Sequence, residues 1–266
     1  MSHDAPNNPL LCITGLTHSF GGLMAVSDFN LSIDQGDIWG VIGPNGAGKT
    51  TVFNLMTGVY RPDKGTVLLG DEDITGLPSH TVVAKGISRT FQNIRLFKSM
   101  SVLDNLRTGA YCRLGYPLFG ALARTKSFNR MERDLTARAI ALCETFGISD
   151  RLHEPAASLP YGMQRKVELG RALISGPRVL LLDEPGAGLN PSELDGLTRL
   201  IRNVQRDFGV TIVLIEHRMQ LVMDLCDHVK VLNFGQTIFS GPPQGLSADD
   251  IVVKAYFGEN DETSLN

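Results

Sequence analysis

Gly43-Pro44-Asn45-Gly46-Ala47-Gly48-Lys49-Thr50-Thr51 sets glycines around a lysine and two hydroxyls, a combination suited to holding phosphate. Gly43, four residues, then Gly48-Lys49-Thr50 is the spacing at which backbone N–H groups converge on phosphate oxygens, in turns that a Cβ would obstruct. Lys49 then serves the β- and γ-phosphates of a nucleotide and the Thr50 hydroxyl serves Mg²⁺. A second chemical group, Asp183-Glu184, follows directly on Leu180-Leu181-Leu182. Two acids at the carboxyl end of an apolar strand can divide the work: Asp183 for the metal, commonly through water, and Glu184 as the general base that polarises an attacking water. Ile212–Ile215 likewise runs into Glu216-His217, and Gln92 follows Ile87–Phe91. Taken singly, His217 reads as a helix cap and Gln92 as a loop glutamine; their order along the chain gives them meaning.

Those groups need elements to position them. Short apolar runs bounded by turn residues predict strands at Leu10–Ile13, Phe29–Ile33, Ile38–Ile42, Val67–Leu69, Val179–Leu182, Thr211–Ile215, Val229–Leu232 and Thr237–Phe239. A helix is predicted from Pro191, because Asn190 offers an N-cap oxygen, Pro191 fits the first helical position and Glu193 completes a capping-box spacing. Leu194, Leu197, Ile201, Val204 and Phe208 form its apolar stripe. Alternation of this kind predicts an α/β fold with a mixed sheet and hairpins across DQGD and NFGQ. From about Ser99 to Leu159 the pattern turns helical, with Leu135, Ala139, Leu142 and Phe146 spaced along Met131–Phe146, which predicts a helical insertion.

Composition sets bounds. The chain has 266 residues, enough for one large domain or two small ones, and 25 Lys plus Arg against 28 Asp plus Glu give a net charge of −3 without blocks of like charge, so nucleic acid is not an expected partner. Cys12, Cys112, Cys143 and Cys226 lie far apart, lack metal-ligand spacing and read as buried or idle thiols. MSHDAPNNPL lacks the apolar stretch of a signal peptide, and VLLL (179–182) and IVLI (212–215) are too short to span a bilayer. The expected place is cytosolic, with any membrane contact made through a partner.

Read in order, the set resembles the ATP-binding subunit of ABC transporters over nearly the whole chain. Phe20 takes the place of the aromatic that stacks on adenine, 43–50 matches Walker A, Gln92 the Q-loop, 159–165 the signature, 179–184 Walker B, 188–190 the D-loop and His217 the H-loop. The resemblance implies a P-loop NTPase fold with an N-terminal antiparallel β subdomain, a helical subdomain at about 93–165 carrying the signature, and a family-specific tail at about 236–266 of one domain spanning 1–266. It also implies ATP and Mg²⁺ as cofactors, held between two such subunits, with each P-loop facing the partner's signature. Residues 43–51, Phe20, Tyr161, Gly162 and Met163 bind nucleotide; Thr50, Gln92 and Asp183 serve the metal; Glu184, His217 and Gln92 act in catalysis.

The signature departs from LSGGQ. Leu159-Pro160-Tyr161-Gly162-Met163 replaces the serine by a proline, removing a charge-assisted hydrogen bond of about 1.5–3 kcal/mol unless N–H groups around Gly162 compensate. Asn190 also stands where aspartate is common. The Tyr-Gly form is similar to the branched-chain amino acid uptake subgroup, as are RTFQNIRLFKSMSVLDNL (89–106), YPLFGALARTKSFNR (116–130) and IVVKAYFGE (251–259). That resemblance implies an importer with two polytopic membrane subunits, a second ATPase making a heterodimer or else a homodimer, and an extracytoplasmic solute-binding protein, the ATPase lying at the cytoplasmic face of the membrane. A lipid or lipopolysaccharide-handling ABC ATPase, which shares the Y-x-G-E ending, and a soluble ABC ATPase stay open as alternatives.

Overall fold

The computed structural model describes residues 9–114, 125–248, 252 and 254. In chain order its elements are β1 (Leu11–Phe20), β2 (Leu23–Ile33), β3 (Ile38–Ile42), α1 (Lys49–Met56), β4 (Lys64–Leu69), β5 (Glu72–Asp73), α2 (Ser79–Lys85), β6 (Ile87–Arg89), α3 (Val102–Thr108), α4 (Tyr111–Leu114), α5 (Lys126–Thr145), α6 (Tyr161–Leu173), β7 (Val179–Asp183), α7 (Pro191–Phe208), β8 (Thr211–Ile215), α8 (Met219–Leu225), β9 (His228–Asn233) and β10 (Gln236–Gly241). They divide into two compact units, Met1–Ser79 with Leu181–Asn266, and His80–Leu180.

The first unit holds a four-stranded sheet in the order β2-β1-β4-β5. β1 and β2 form a long antiparallel hairpin with Leu11 opposite Ile33 and Phe20 opposite Leu23. Along β2 Val26, Phe29, Leu31 and Ile33 are buried while several of their neighbours are exposed, the alternation of a sheet with one wet face. The same unit holds strands in the order β10-β9-β3-β8-β7, with β3 parallel to both β8 and β9. β7 and β8 are buried at every position, as apolar runs covered on both faces must be. β9 and β10 make the hairpin predicted across NFGQ, Gln236 facing Asn233.

The hairpin predicted across DQGD does not form: β2 and β3 belong to different sheets. Gly36 has φ +90° and donates its N–H to Thr211 Oγ1 at 2.8 Å, Ile212 N–H bonds the Asp37 carbonyl at 2.9 Å, and Ile38 N–H bonds Asp227 Oδ2 at 2.8 Å. The link is thus tied to the starts of β8 and β9, and β3 enters the parallel core rather than folding back.

α7 begins with the predicted capping box: Asn190 Oδ1 accepts Glu193 N–H at 3.0 Å and Glu193 Oε2 accepts Asn190 N–H at 2.8 Å. Leu194, Ile201 and Val204 are buried, but Phe208 at the last helical position is exposed, because the helix stops at left-handed Gly209 before the stripe reaches the core again. An N-cap of this kind is worth about 1 kcal/mol, so Asn190→Ala is expected to lower the thermal midpoint by about 2–4 °C in a chain of this size, with Asn190→Asp near wild type. Differential scanning calorimetry checks it.

In the second unit α3 packs on α5 and α6, burying Leu106, Leu135, Ala139, Leu142, Val167 and Leu173. Phe146, at the C-cap of α5, is buried beside them. β6 runs beside the start of β7, where the Gly86 carbonyl accepts from Arg178 and Val179. The 116–130 insertion lies mostly outside the described residues, as does nearly all of 251–259. All four cysteines are free; burial pushes the Cys143 thiol up to about 11 and Cys226 up to about 12, which makes both inert. Cys12 is half-buried and Cys112 exposed, so burial accounts for two of the four.

Candidate active site

The phosphate loop leaves the carboxyl end of the central strand β3 and enters α1. Gly43 has φ +150° and Gly48 φ +103°, and a Cβ at either would lie 2.1 Å from the Leu232 carbonyl or 2.5 Å from the Ala25 carbonyl. Only glycine lets the loop lie this close to β2 and β9. Gly48 caps α1 without a side-chain acceptor, so the first N–H groups of the helix, around Lys49, Thr50 and Thr51, face outward with the positive end of its dipole. Pro44 is half-buried, Asn45, Gly46 and Thr50 are exposed, and Ala47 and Lys49 are buried.

Lys49 Nζ donates to the carbonyls of Gly43 at 2.7 Å and Pro44 at 2.9 Å. Burial holds its pKa below the ordinary lysine range, while Glu184 and then Asp183 pull it back up. An ammonium with so little water gains from an incoming anion, which is the condition a phosphate cradle needs. The glycine geometry, the outward N–H groups and this cation all fit a nucleotide triphosphate.

Asp183 is buried at the end of β7, and Glu184 follows with φ +47°, a left-handed backbone that is costly for a residue with a Cβ. Glu184 N–H bonds the Ile215 carbonyl at 3.0 Å, so the ends of β7 and β8 lie side by side. His217 Nδ1 sits 3.9 Å from Glu184 Oε2, the imidazole more exposed than the carboxylate. Between them Glu216 is fully buried. Lys49, Asp183, Glu184 and His217 are therefore brought into one neighbourhood.

Phe20, at the end of β1, is 43% exposed and makes T-shaped contacts with His18 and Tyr60, with ring centroids 4.7 and 5.2 Å away. His18 stacks on Tyr60 at 5.6 Å and lies 3.7 Å from Asp63. A ring left this open is available to a planar partner.

Gln92, Tyr161, Gly162 and Met163 belong to the His80–Leu180 unit and are connected there. Pro160 is the N-cap of α6 and offers no side-chain acceptor; its carbonyl accepts from Met163 at 2.9 Å and Gln164 at 3.0 Å. The leading amides at Tyr161 and Gly162 lie at the helix start, where the absent serine hydroxyl can be replaced by backbone donors. Arg165 donates to the Gln92 carbonyl and to the Tyr161 hydroxyl, both at 3.1 Å, and Arg95 N–H donates to Glu168 Oε1 at 3.3 Å. Burial raises the Glu168 carboxyl above its usual range, against the pull of Arg95 N–H and Arg165.

Residues 26–187 match the family described as ABC transporter. The chain belongs to the ABC transporter family. The ABC ATPase is 43% identical to the high-affinity branched-chain amino acid transport ATP-binding protein BraF of Pseudomonas aeruginosa, over 95% of this chain and 99% of that one. It is 42% identical, over the same shares, to the protein of that description, LivG, from Escherichia coli. Among solved structures it superposes on the ADP conformation of the ATP-binding cassette MJ1267 with a TM-score of 0.82 and 32% identity, covering 94% of this chain and 99% of that one.

Membership makes this ABC ATPase a nucleotide-hydrolysing subunit that works with membrane subunits of a transporter. No helix among its described residues is long and apolar enough to cross a membrane. Sequence reasoning gave no role to Arg165, Glu168 or Glu216. A charged pair three apart on α6, and an acid directly after the apolar run Ile212–Ile215, were the signals available.

Proposed function

We propose that this ABC ATPase energises uptake of branched-chain amino acids, or closely related amino acids and amides, from the cytoplasmic face of the membrane. The observation that carries the reading is identity of 43% sustained over 95% of this chain and 99% of a branched-chain amino acid transport protein. A lipopolysaccharide export ATP-binding protein of Escherichia coli, LptB, stands at 32% over comparable shares, which favours the amino acid reading over the lipid one.

Within that reading Phe20 stacks on adenine, residues 43–51 wrap the phosphates, and Lys49 neutralises the β- and γ-phosphate charge. Thr50 and Asp183 would supply hard oxygen donors for Mg²⁺. By family resemblance Gln92 would be a further oxygen donor for the metal and would orient water. Bound MgATP supplies the phosphoanhydride bond and the divalent charge that neutralises it. Glu184 takes the proton of the attacking water, and His217 donates to the γ-phosphate. Tyr161 and Gly162 present α6 amides to the nucleotide of a second ATPase subunit, in a heterodimer or a homodimer, with Met163 next along the helix beside it. Two polytopic membrane subunits and, indirectly, a solute-binding protein complete the importer.

The test is uptake by vesicles carrying this chain with its membrane subunits, sister ATPase and binding protein. ATP-dependent accumulation of leucine, isoleucine or valine is the expected result. Normal MgATP hydrolysis with no uptake of any of the three, nor of related amino acids and amides, overturns the substrate assignment.

A further inference from the structure

β8 ends in a side chain that the roles above leave unused. Glu216 is completely buried, at 0% exposure, and accepts three backbone hydrogen bonds: Gly186 N–H to Oε1 at 2.8 Å, His217 N–H to Oε2 at 2.9 Å and Arg218 N–H to Oε2 at 3.0 Å. An acid taken from water is costly to bury unless its oxygens are met in this way, and an apolar residue filling the same space avoids that cost. What an apolar residue cannot do is join two turns.

The two turns are those that matter. Gly186 lies two residues beyond Glu184, in the segment that also contains the left-handed Glu184 backbone. His217 and Arg218 form the turn that aims the imidazole, 3.9 Å from Glu184 Oε2. Gly186 leaves room for the carboxylate, since a Cβ there would lie 2.7 Å from Oε1, and Leu194 and Leu221 close over the same spot.

We propose that Glu216 is a positioning residue for ATP hydrolysis: by bonding the turn after Glu184 with one oxygen and the His217 turn with the other, it fixes the base and the imidazole in one geometry. The inference rests on the roles given to Glu184 and His217. A displacement of either group by an ångström is enough to slow chemistry steeply without weakening the nucleotide contacts made by the loop at 43–51.

The experiment is Glu216→Gln. The amide keeps the shape and one acceptor oxygen but turns an N–H₂ toward one of the two turns, which then loses its acceptor. The expected result is kcat lower by about tenfold or more with KM for MgATP changed by less than about threefold. Amide exchange is expected to quicken at Gly186, His217 or Arg218, with the thermal midpoint lowered by a few degrees in a protein that still folds. A purely structural role moves the midpoint and leaves kcat of the folded protein unchanged. Wild-type kcat in folded Glu216→Gln, or a loss confined to KM, overturns the proposal. Should that variant not fold, Glu216→Asp, which keeps the acid on a shorter stem, is held to the same criteria. Glu184→Gln run alongside separates the two ideas. If it turns over normally, the base assignment fails; if it is inactive while Glu216→Gln is normal, only the positioning role fails.

Discussion

Glu184→Gln is expected to lower ATP turnover about 10²–10⁴-fold while nucleotide affinity stays within about threefold of wild type. Glu184 occupies the one place in the site where backbone strain, a carboxylate and an imidazole meet: φ is +47°, its N–H is fixed to the Ile215 carbonyl, and His217 Nδ1 lies 3.9 Å from Oε2. The amide is nearly isosteric, so the strained turn and the Lys49 cradle persist. What it cannot do is accept a proton from water. Single-turnover hydrolysis with labelled ATP, beside equilibrium binding of the same nucleotide, checks both halves. A folded Glu184→Gln protein with wild-type turnover would place the base elsewhere.

The parts of this site legible in sequence are those whose chemistry is local. Gly43 and Gly48 are readable because the loop's own conformation demands glycine, and the collisions at 2.1 and 2.5 Å explain the demand. Asp183 and Glu184 are readable because a strand buried at every position must be apolar until it ends. The capping box of α7 involves residues three apart and was visible for the same reason. DQGD was misread because a tight link looks alike whether its strands pair or part; Thr211 Oγ1 and Asp227 Oδ2, which decide the matter, lie far along the chain. β1 and β2 read as short because the hairpin extends into polar, half-exposed positions, with register shifts between Ile13 and Ser19, next to left-handed Gly15 and Asp28. Glu216 and Arg165 were opaque for a deeper reason. Glu216 accepts only from backbone N–H groups and Arg165 reaches the distant Gln92 carbonyl. A backbone partner far along the chain is not marked by residue type, so the charged pair on α6 and the acid after β8 signal that something is held there without saying what.

Lys49→Ala is expected to act on the other half of the reaction, weakening ATP binding by roughly 10- to 150-fold, the equivalent of about 1.5–3 kcal/mol for one charge-assisted contact. In the structure the ammonium is held by the carbonyls of Gly43 and Pro44 and flanked by Glu184 and Asp183, so it stands ready within the loop before any phosphate arrives. Its burial depresses the pKa, which means the protein bears a desolvation cost that an anion relieves on binding. Removing the cation takes away that gain and leaves two loop carbonyls without their donor. Lys49→Met separates both from lost packing, because it keeps most of the aliphatic stem and loses only the charge and the donors. Titration calorimetry with a slowly hydrolysed ATP analogue reads both variants. Equal losses in Ala and Met assign the effect to the ammonium, charge and donors together, rather than to the stem; normal ATP retention in either shows that the cradle does not hold phosphate. Placed beside Glu184→Gln, which binds without turning over, a Lys49 variant that fails to bind divides the site into a part that holds the nucleotide and a part that cuts it.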